Sequence, residues 1–90
     1  MLKRQLRIQN KLGLHARAAA KLVTLASRFQ AEITISTEKL TAHTKSIMGL
    51  MMLSATYGTS VTLVSDEAKD AEAAINAIEA LIQNKFDEPE

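Results

Sequence analysis

Asn10-Lys11-Leu12-Gly13-Leu14-His15-Ala16-Arg17-Ala18-Ala19 is where this chain changes its hydrophobic period. Before it, Leu2, Arg4, Leu6 and Ile8 alternate with Lys3, Gln5 and Arg7, the two-residue repeat of a strand over Leu2 to Gln9. After it, Ala19, Leu22, Val23, Ala26 and Phe29 recur at helical spacing, predicting a helix from Ala16 to Phe29. Arg17, Lys21, Thr24 and Arg28 line the opposite face as a basic stripe. The quoted stretch is therefore a strand-to-helix turn, and it sets His15 at a helix mouth. Such mouths offer unpaired N–H groups and partial positive charge, which favour phosphate.

Working outward, Ala31 to Thr37 alternates as a half-buried strand, Glu38-Lys39 is a turn, and Leu40 to Thr44 is a second short strand. Ser46 to Leu53 is a short helix with Ser46 at its N-cap. Thr56 to Thr59 is a loop, Ser60 to Val64 another strand, and Ser65-Asp66 the expected cap of a last helix. That helix buries Ala71, Ile75, Ile78, Ile82 and Phe86, and Asp87-Glu88-Pro89-Glu90 is expected to fray. The order β-α-β-β-α-β-α gives an α/β (α+β) two-layer sandwich, one domain over residues 1–90. Its antiparallel sheet is open to water on the face that the helices leave free.

The charge is divided along the chain. Residues 1–31 hold Lys3, Arg4, Arg7, Lys11, Arg17, Lys21 and Arg28 and no acid, while the rest sets ten acids against Lys39, Lys45, Lys69 and Lys85. Such blocks point to an acidic partner or an anionic ligand for the basic part, unless the clustering is an accident of a solvated surface. There is no cysteine, so disulfides and thiolate metal sites are excluded. No apolar run reaches the roughly 18–20 residues of a membrane span. The start lacks the apolar stretch of a secretion signal, so a cytoplasmic protein without direct membrane binding is expected.

Neutral imidazole is a competent nucleophile near neutral pH, so His15 can carry a phosphoryl group, with Arg17 placed to offer it a charge-assisted bond. No carboxylate lies close in sequence to orient the ring. His15 and His43 alone make a weak metal-ligand set, and His43 reads as a surface residue, so neither metal nor cofactor is expected. Ser46 reads first as a helix cap, although a kinase could reach its hydroxyl. Ile47, Met48, Leu50, Met51, Met52 and Leu53 are apolar almost all round a two-turn helix. Either loops cover them or they form a methionine-rich docking patch. Three aromatics in no cluster give little support for nucleic-acid stacking, and only the basic stripe keeps a small nucleic-acid-binding domain as an alternative.

The stretch Asn10 to Ala19 resembles the active-site signature of HPr, the histidine-containing phosphocarrier family of the bacterial phosphoenolpyruvate-dependent phosphotransferase system. Lys45-Ser46-Ile47-Met48-Gly49-Leu50-Met51 resembles that family's regulatory-serine signature. The resemblance implies three helices on a four-stranded antiparallel sheet ordered 1-4-2-3. It implies a non-enzymatic carrier, a monomer, in which His15 takes phosphate on Nδ1 from phosphorylated Enzyme I and passes it to an Enzyme IIA domain, assisted by Arg17. Ser46 matches the position modified by an HPr kinase/phosphorylase. Lys21, Thr24, Arg28, Ile47, Met48 and Met51 match the partner-docking surface. Ala18 stands where many members have proline, a substitution that the first turn of a helix accepts. It also matches a divergent, nitrogen-related branch that acts as a regulatory interaction module.

Overall fold

Period-two alternation becomes β1 (Lys3–Arg7), which turns Leu6 inward and Lys3, Gln5 and Arg7 outward. The computed structural model describes residues 1–90, and the elements follow as α1 (Ala16–Ala26), β2 (Ile33–Ser36), β3 (Thr41–His43), α2 (Ile47–Leu53), β4 (Ser60–Ser65) and α3 (Ala71–Gln83). The strands form one antiparallel sheet in the order β1-β4-β2-β3. Its register aligns Arg4, Leu63, Ile35 and Ala42 in a row on the helix-covered face, and Gln5, Thr62, Ser36 and Thr41 in a row on the open face. Strand periodicity alone thus separates a row that is apolar but for Arg4, which reaches Glu79 and Asn76 of α3, from a hydroxyl-rich one. None of the helices is long and apolar enough to cross a membrane.

The core is aliphatic, as the shortage of aromatics requires. Ile33, Ile35, Val61 and Leu63 from the sheet meet Leu22 of α1, Leu50 and Leu53 of α2 and Ile75, Ile78 and Ile82 of α3. Helix α1 buries Ala18, Ala19, Leu22 and Ala26, so Ala18 belongs to the core face along with the expected set. Val23 and Phe29 pack against the core while partly exposed. The helix stops at Ala26 instead of Phe29 because its last carbonyls take tighter bonds, from Arg28 N to Leu25 O and Phe29 N to Ala26 O, both 3.1 Å.

Three local expectations need correction. Helix α3 starts at Ala71, not beside Ser65-Asp66. Ser65 is the last residue of β4, and Asp66 accepts from Ala68 N within the connecting loop. Asp70, at the helix start, accepts from Gln30 N (2.7 Å) and Ala31 N (2.9 Å), closing the loop between α1 and β2. Phe86 is fully buried but is not helical. It lies in a turn in which Lys85, Phe86 and Asp87 all have left-handed φ values of 59°, 53° and 63°. The last residues are not frayed: Lys11 N donates to Glu90 O at 2.9 Å, and Lys21 Nζ to Phe86 O at 2.8 Å. The basic N-terminal third holds this acidic end, which a reading of local composition overlooks.

Gly13 shows how tightly the turn before α1 is built. Its φ is +70°, and a Cβ there would lie 2.6 Å from Ala55 O. Gly13→Ala should cost about 1–3 kcal/mol through a strained backbone and this overlap. Gly58→Ala, at φ +83° with open space around it, should cost less, because only the backbone term applies. Urea midpoints of the two variants measure the difference.

Candidate functional site

The loop from Asn10 to Leu14 is fixed at several points, and His15 inherits that rigidity. Gly13 N donates to Asn10 O (3.2 Å), His15 N to Gly13 O (3.0 Å), and Leu14 N to Ala55 O just beyond α2 (2.8 Å). His15 is then the N-cap of α1, with extended backbone, and its carbonyl accepts the first helical bond from Ala19 N at 2.8 Å. Its Nδ1 accepts from Arg17 N at 3.3 Å. The side chain thus does with a ring nitrogen what Ser or Asp does with oxygen. The first-turn amides of Ala16 and Ala18 have no acceptor within the helix. His15 keeps 26% of its side chain exposed.

The other ring nitrogen, Nε2, hydrogen-bonds Glu88 Oε2. The second oxygen of Glu88 accepts from Asn10 Nδ2 at 2.8 Å, and the same amide reaches Gly13 O, also at 2.8 Å. Asn10 is wholly buried, and the Glu88 side chain is only 7% exposed. A carboxylate therefore does arrive at His15, from 73 residues away in sequence. Burial alone would push the Glu88 carboxyl up. Hydrogen bonds from Asn10 and His15, with the charges of His15 and Arg17, outweigh it and hold the carboxyl below its ordinary 4.5.

This shift has a definite sign. A carboxylate whose folded value is depressed stabilises the docked end fully above its unfolded value, and loses that contribution as pH falls through the lower folded value. The docked end should therefore persist through neutral pH and release only in acid below about 4.5. The exchange protection of Lys11 N–H, bonded to Glu90 O, follows it directly. Release between pH 6 and 7 would contradict this assignment.

Arg17 is exposed and makes no salt bridge, and neither does Arg28. Together with Lys21, Thr24, Leu25, Leu81 and Asp87 they border one shallow groove, so the basic stripe is a continuous surface. Lys21 is partly matched within the chain, lying 3.9 Å from Asp87. Ser46 caps α2 as expected, its Oγ accepting from Gly49 N at 3.1 Å. No loop covers α2: Ile47, Met48, Met51 and Met52 line an apolar depression, with Met48 75% exposed. Helices α1, which carries the basic stripe, and α2, which carries the apolar depression, pack against each other. His43 is exposed on β3, an edge strand, apart from this constellation.

Residue-level reading missed two groups, Glu88 and the buried amide of Asn10. One signal for Glu88 was present. The apolar stripe of α3 runs on to Phe86, and a buried anchor there brings the residues after it down onto the core edge.

A family profile described as "PTS HPr component phosphorylation site" matches residues 2–84. The chain is 53% identical over 87 residues to phosphocarrier protein NPr of Shewanella violacea, covering 97% of this chain and 94% of that protein. It is 49% identical to phosphocarrier protein HPr of Cupriavidus necator over the whole of both chains. The crystal structure of an HPr from Thermoanaerobacter tengcongensis superposes with a TM-score of 0.93 at 40% identity, again over the full length of both. With its 1-4-2-3 sheet and a capping histidine at the mouth of α1, the chain belongs to the HPr family of phosphocarrier proteins of the phosphotransferase system.

Proposed function

We propose that His15 accepts a phosphoryl group on Nδ1 from phosphorylated Enzyme I and delivers it to an Enzyme IIA domain. The observation that carries this reading is the state of the ring. Nδ1 faces the first turn of α1, held only by a long bond from Arg17 N, while Nε2 is engaged by a carboxylate. A phosphoryl group on Nδ1 would replace that weak bond and meet the helix-mouth amides. The guanidinium of Arg17, which makes no salt bridge, would balance its charge. The hold is moderate by construction, which suits a group that must be given away. The chain is then a carrier rather than an enzyme, working as a monomer in the cytoplasm.

Docking would use the groove of Lys21, Thr24 and Arg28 beside the apolar depression of Ile47, Met48 and Met51. An acidic rim with an apolar centre on each partner would complement it. Ser46 caps α2, next to Ile47 of the apolar depression. A phosphate there, added by an HPr kinase/phosphorylase, would bring about −1.5 to −2 charges to the docking face and weaken association with acidic partners. The test is a relay. Label from phosphoenolpyruvate should appear on this protein only when Enzyme I is present, and should leave it when an Enzyme IIA domain is added. Label that is accepted but transferred to no Enzyme IIA domain would contradict the carrier reading.

A further inference from the structure

The chain has no cysteine, so its only sulfurs are the thioethers of Met1, Met48, Met51 and Met52. Three of these lie together. Met48 (75% exposed), Met51 (47%) and Met52 (66%) stand at i, i+3 and i+4 on α2 and, with Ile47, line a single apolar depression. The same helix is held to the core by Leu50 and Leu53, which are buried, and by none of the methionines. This division has a chemical consequence. Oxidation turns methionine from a flexible apolar side chain into a polar one, and reduction reverses it. On α2 that change would fall on the outward face and leave the buried face as it is. Met1, also exposed, lies apart from α2, beside Glu67 and Ala68.

We infer that Met48, Met51 and Met52 form a reversible oxidation site that turns off partner docking. This rests on the reading of the apolar depression as a docking surface. The oxidant is a peroxide. A sulfur lone pair attacks one peroxide oxygen, the O–O bond breaks, and an S–O bond forms. The departing hydroxide takes the proton left on the transferred oxygen and leaves as water. Sulfur is oxidised by two electrons and the peroxide is reduced by two. In the reverse step a dithiol, acting through a methionine sulfoxide reductase, removes the oxygen as water and becomes a disulfide. Each sulfoxide sets a strong acceptor oxygen in a surface lined only by apolar side chains. A partner with an apolar centre would have to bury that oxygen without a donor, which costs affinity. The imidazole of His15 does not react in this way, so the nucleophile survives while its access to partners is lost.

The test treats the full chain with hydrogen peroxide, removes the excess with catalase, and maps the product by peptide mass spectrometry. Each α2 methionine should gain one oxygen. Calorimetry should then show affinity for Enzyme I about ten- to hundredfold weaker, the expected consequence of burying an unpartnered polar group. Circular dichroism and thermal unfolding should show the fold retained. Methionine sulfoxide reductases with dithiothreitol should restore the affinity. The triple variant Met48→Leu, Met51→Leu, Met52→Leu keeps Met1 as its one sulfur. Compared with its own untreated sample, it should lose no affinity on oxidation. Unchanged affinity of the oxidised wild type, an equal loss in the leucine variant, loss of the fold on oxidation, or failure of the reductases to restore binding each overturns the proposal. The triple variant Met48→Gln, Met51→Gln, Met52→Gln, read without oxidant, separates this from the docking reading. If it binds Enzyme I as the wild type does, the docking reading falls and the switch with it. If it binds more weakly while peroxide leaves the wild type unchanged, the switch alone falls.

Discussion

His15→Ala is expected to take no phosphate from phosphorylated Enzyme I, a complete loss where any other single change slows transfer. The reason is chemical: the variant has no nucleophile at the mouth of α1. Arg17 and the amides of the first turn can bind an anion, but they form no covalent bond with it. The fold should survive. Replacing a side-chain N-cap by alanine costs about 0.5–2 kcal/mol, and the bond lost from Arg17 N is a long one, at 3.3 Å. The end of the chain should loosen at the same time, because Glu88 loses its partner while keeping Asn10. Circular dichroism and labelling on one sample separate the two effects. A folded His15→Ala protein that still takes label would remove His15 from its role.

Phe86→Ala is expected to be the most damaging change to stability outside α3 itself, at about 3–5 kcal/mol. Phe86 is fully buried, and it is the anchor of a left-handed turn that alanine would hold no less strained and far less firmly. Its loss should act twice, opening a cavity in the core and releasing Glu88 from His15. Ile82→Ala, one turn earlier and equally buried, removes core volume while keeping the anchor in place. Both variants should melt earlier. Only Phe86→Ala should also lose the exchange protection of Lys11 N–H under conditions where the protein is still folded. Equal loss of that protection in the two variants would show that the end of the chain depends on the core as a whole, and not on this anchor.

Much of this molecule was legible in the sequence because its layers obey simple periods. Strand alternation marked Ala31 to Thr37 as half-buried, with Ile33 and Ile35 as its buried row, and helical spacing found the stripe of α3. The cap at Ser46 followed from residue type and position. What was not legible depends on contacts remote in sequence. Asp66 was the expected cap, yet α3 starts after Asp70, whose side chain makes no cap bond and instead closes the loop at Gln30 and Ala31. Exposure of the methionine patch on α2 could not be decided from composition, because a covering loop leaves no local mark.

The acidic end shows the same limit more sharply. By local composition, Asp87-Glu88-Pro89-Glu90 has every property of a solvated terminus. It is ordered because the basic N-terminal third meets it, through Lys11, Lys21, Asn10 and His15. The charge division read from the sequence is thus partly satisfied within the chain. Arg17 and Arg28, which form no salt bridge and border one groove, are left for an outside anion beside His15.

Nδ1 of His15 is the atom proposed to bear phosphorus. Phosphorus and nitrogen NMR of the protein phosphorylated through Enzyme I and phosphoenolpyruvate tests it most directly. One acid-labile phosphorus species is expected, coupled to Nδ1 of His15, with Nε2 still carrying hydrogen. Phosphorus on Nε2, or on Ser46 alone, would contradict it.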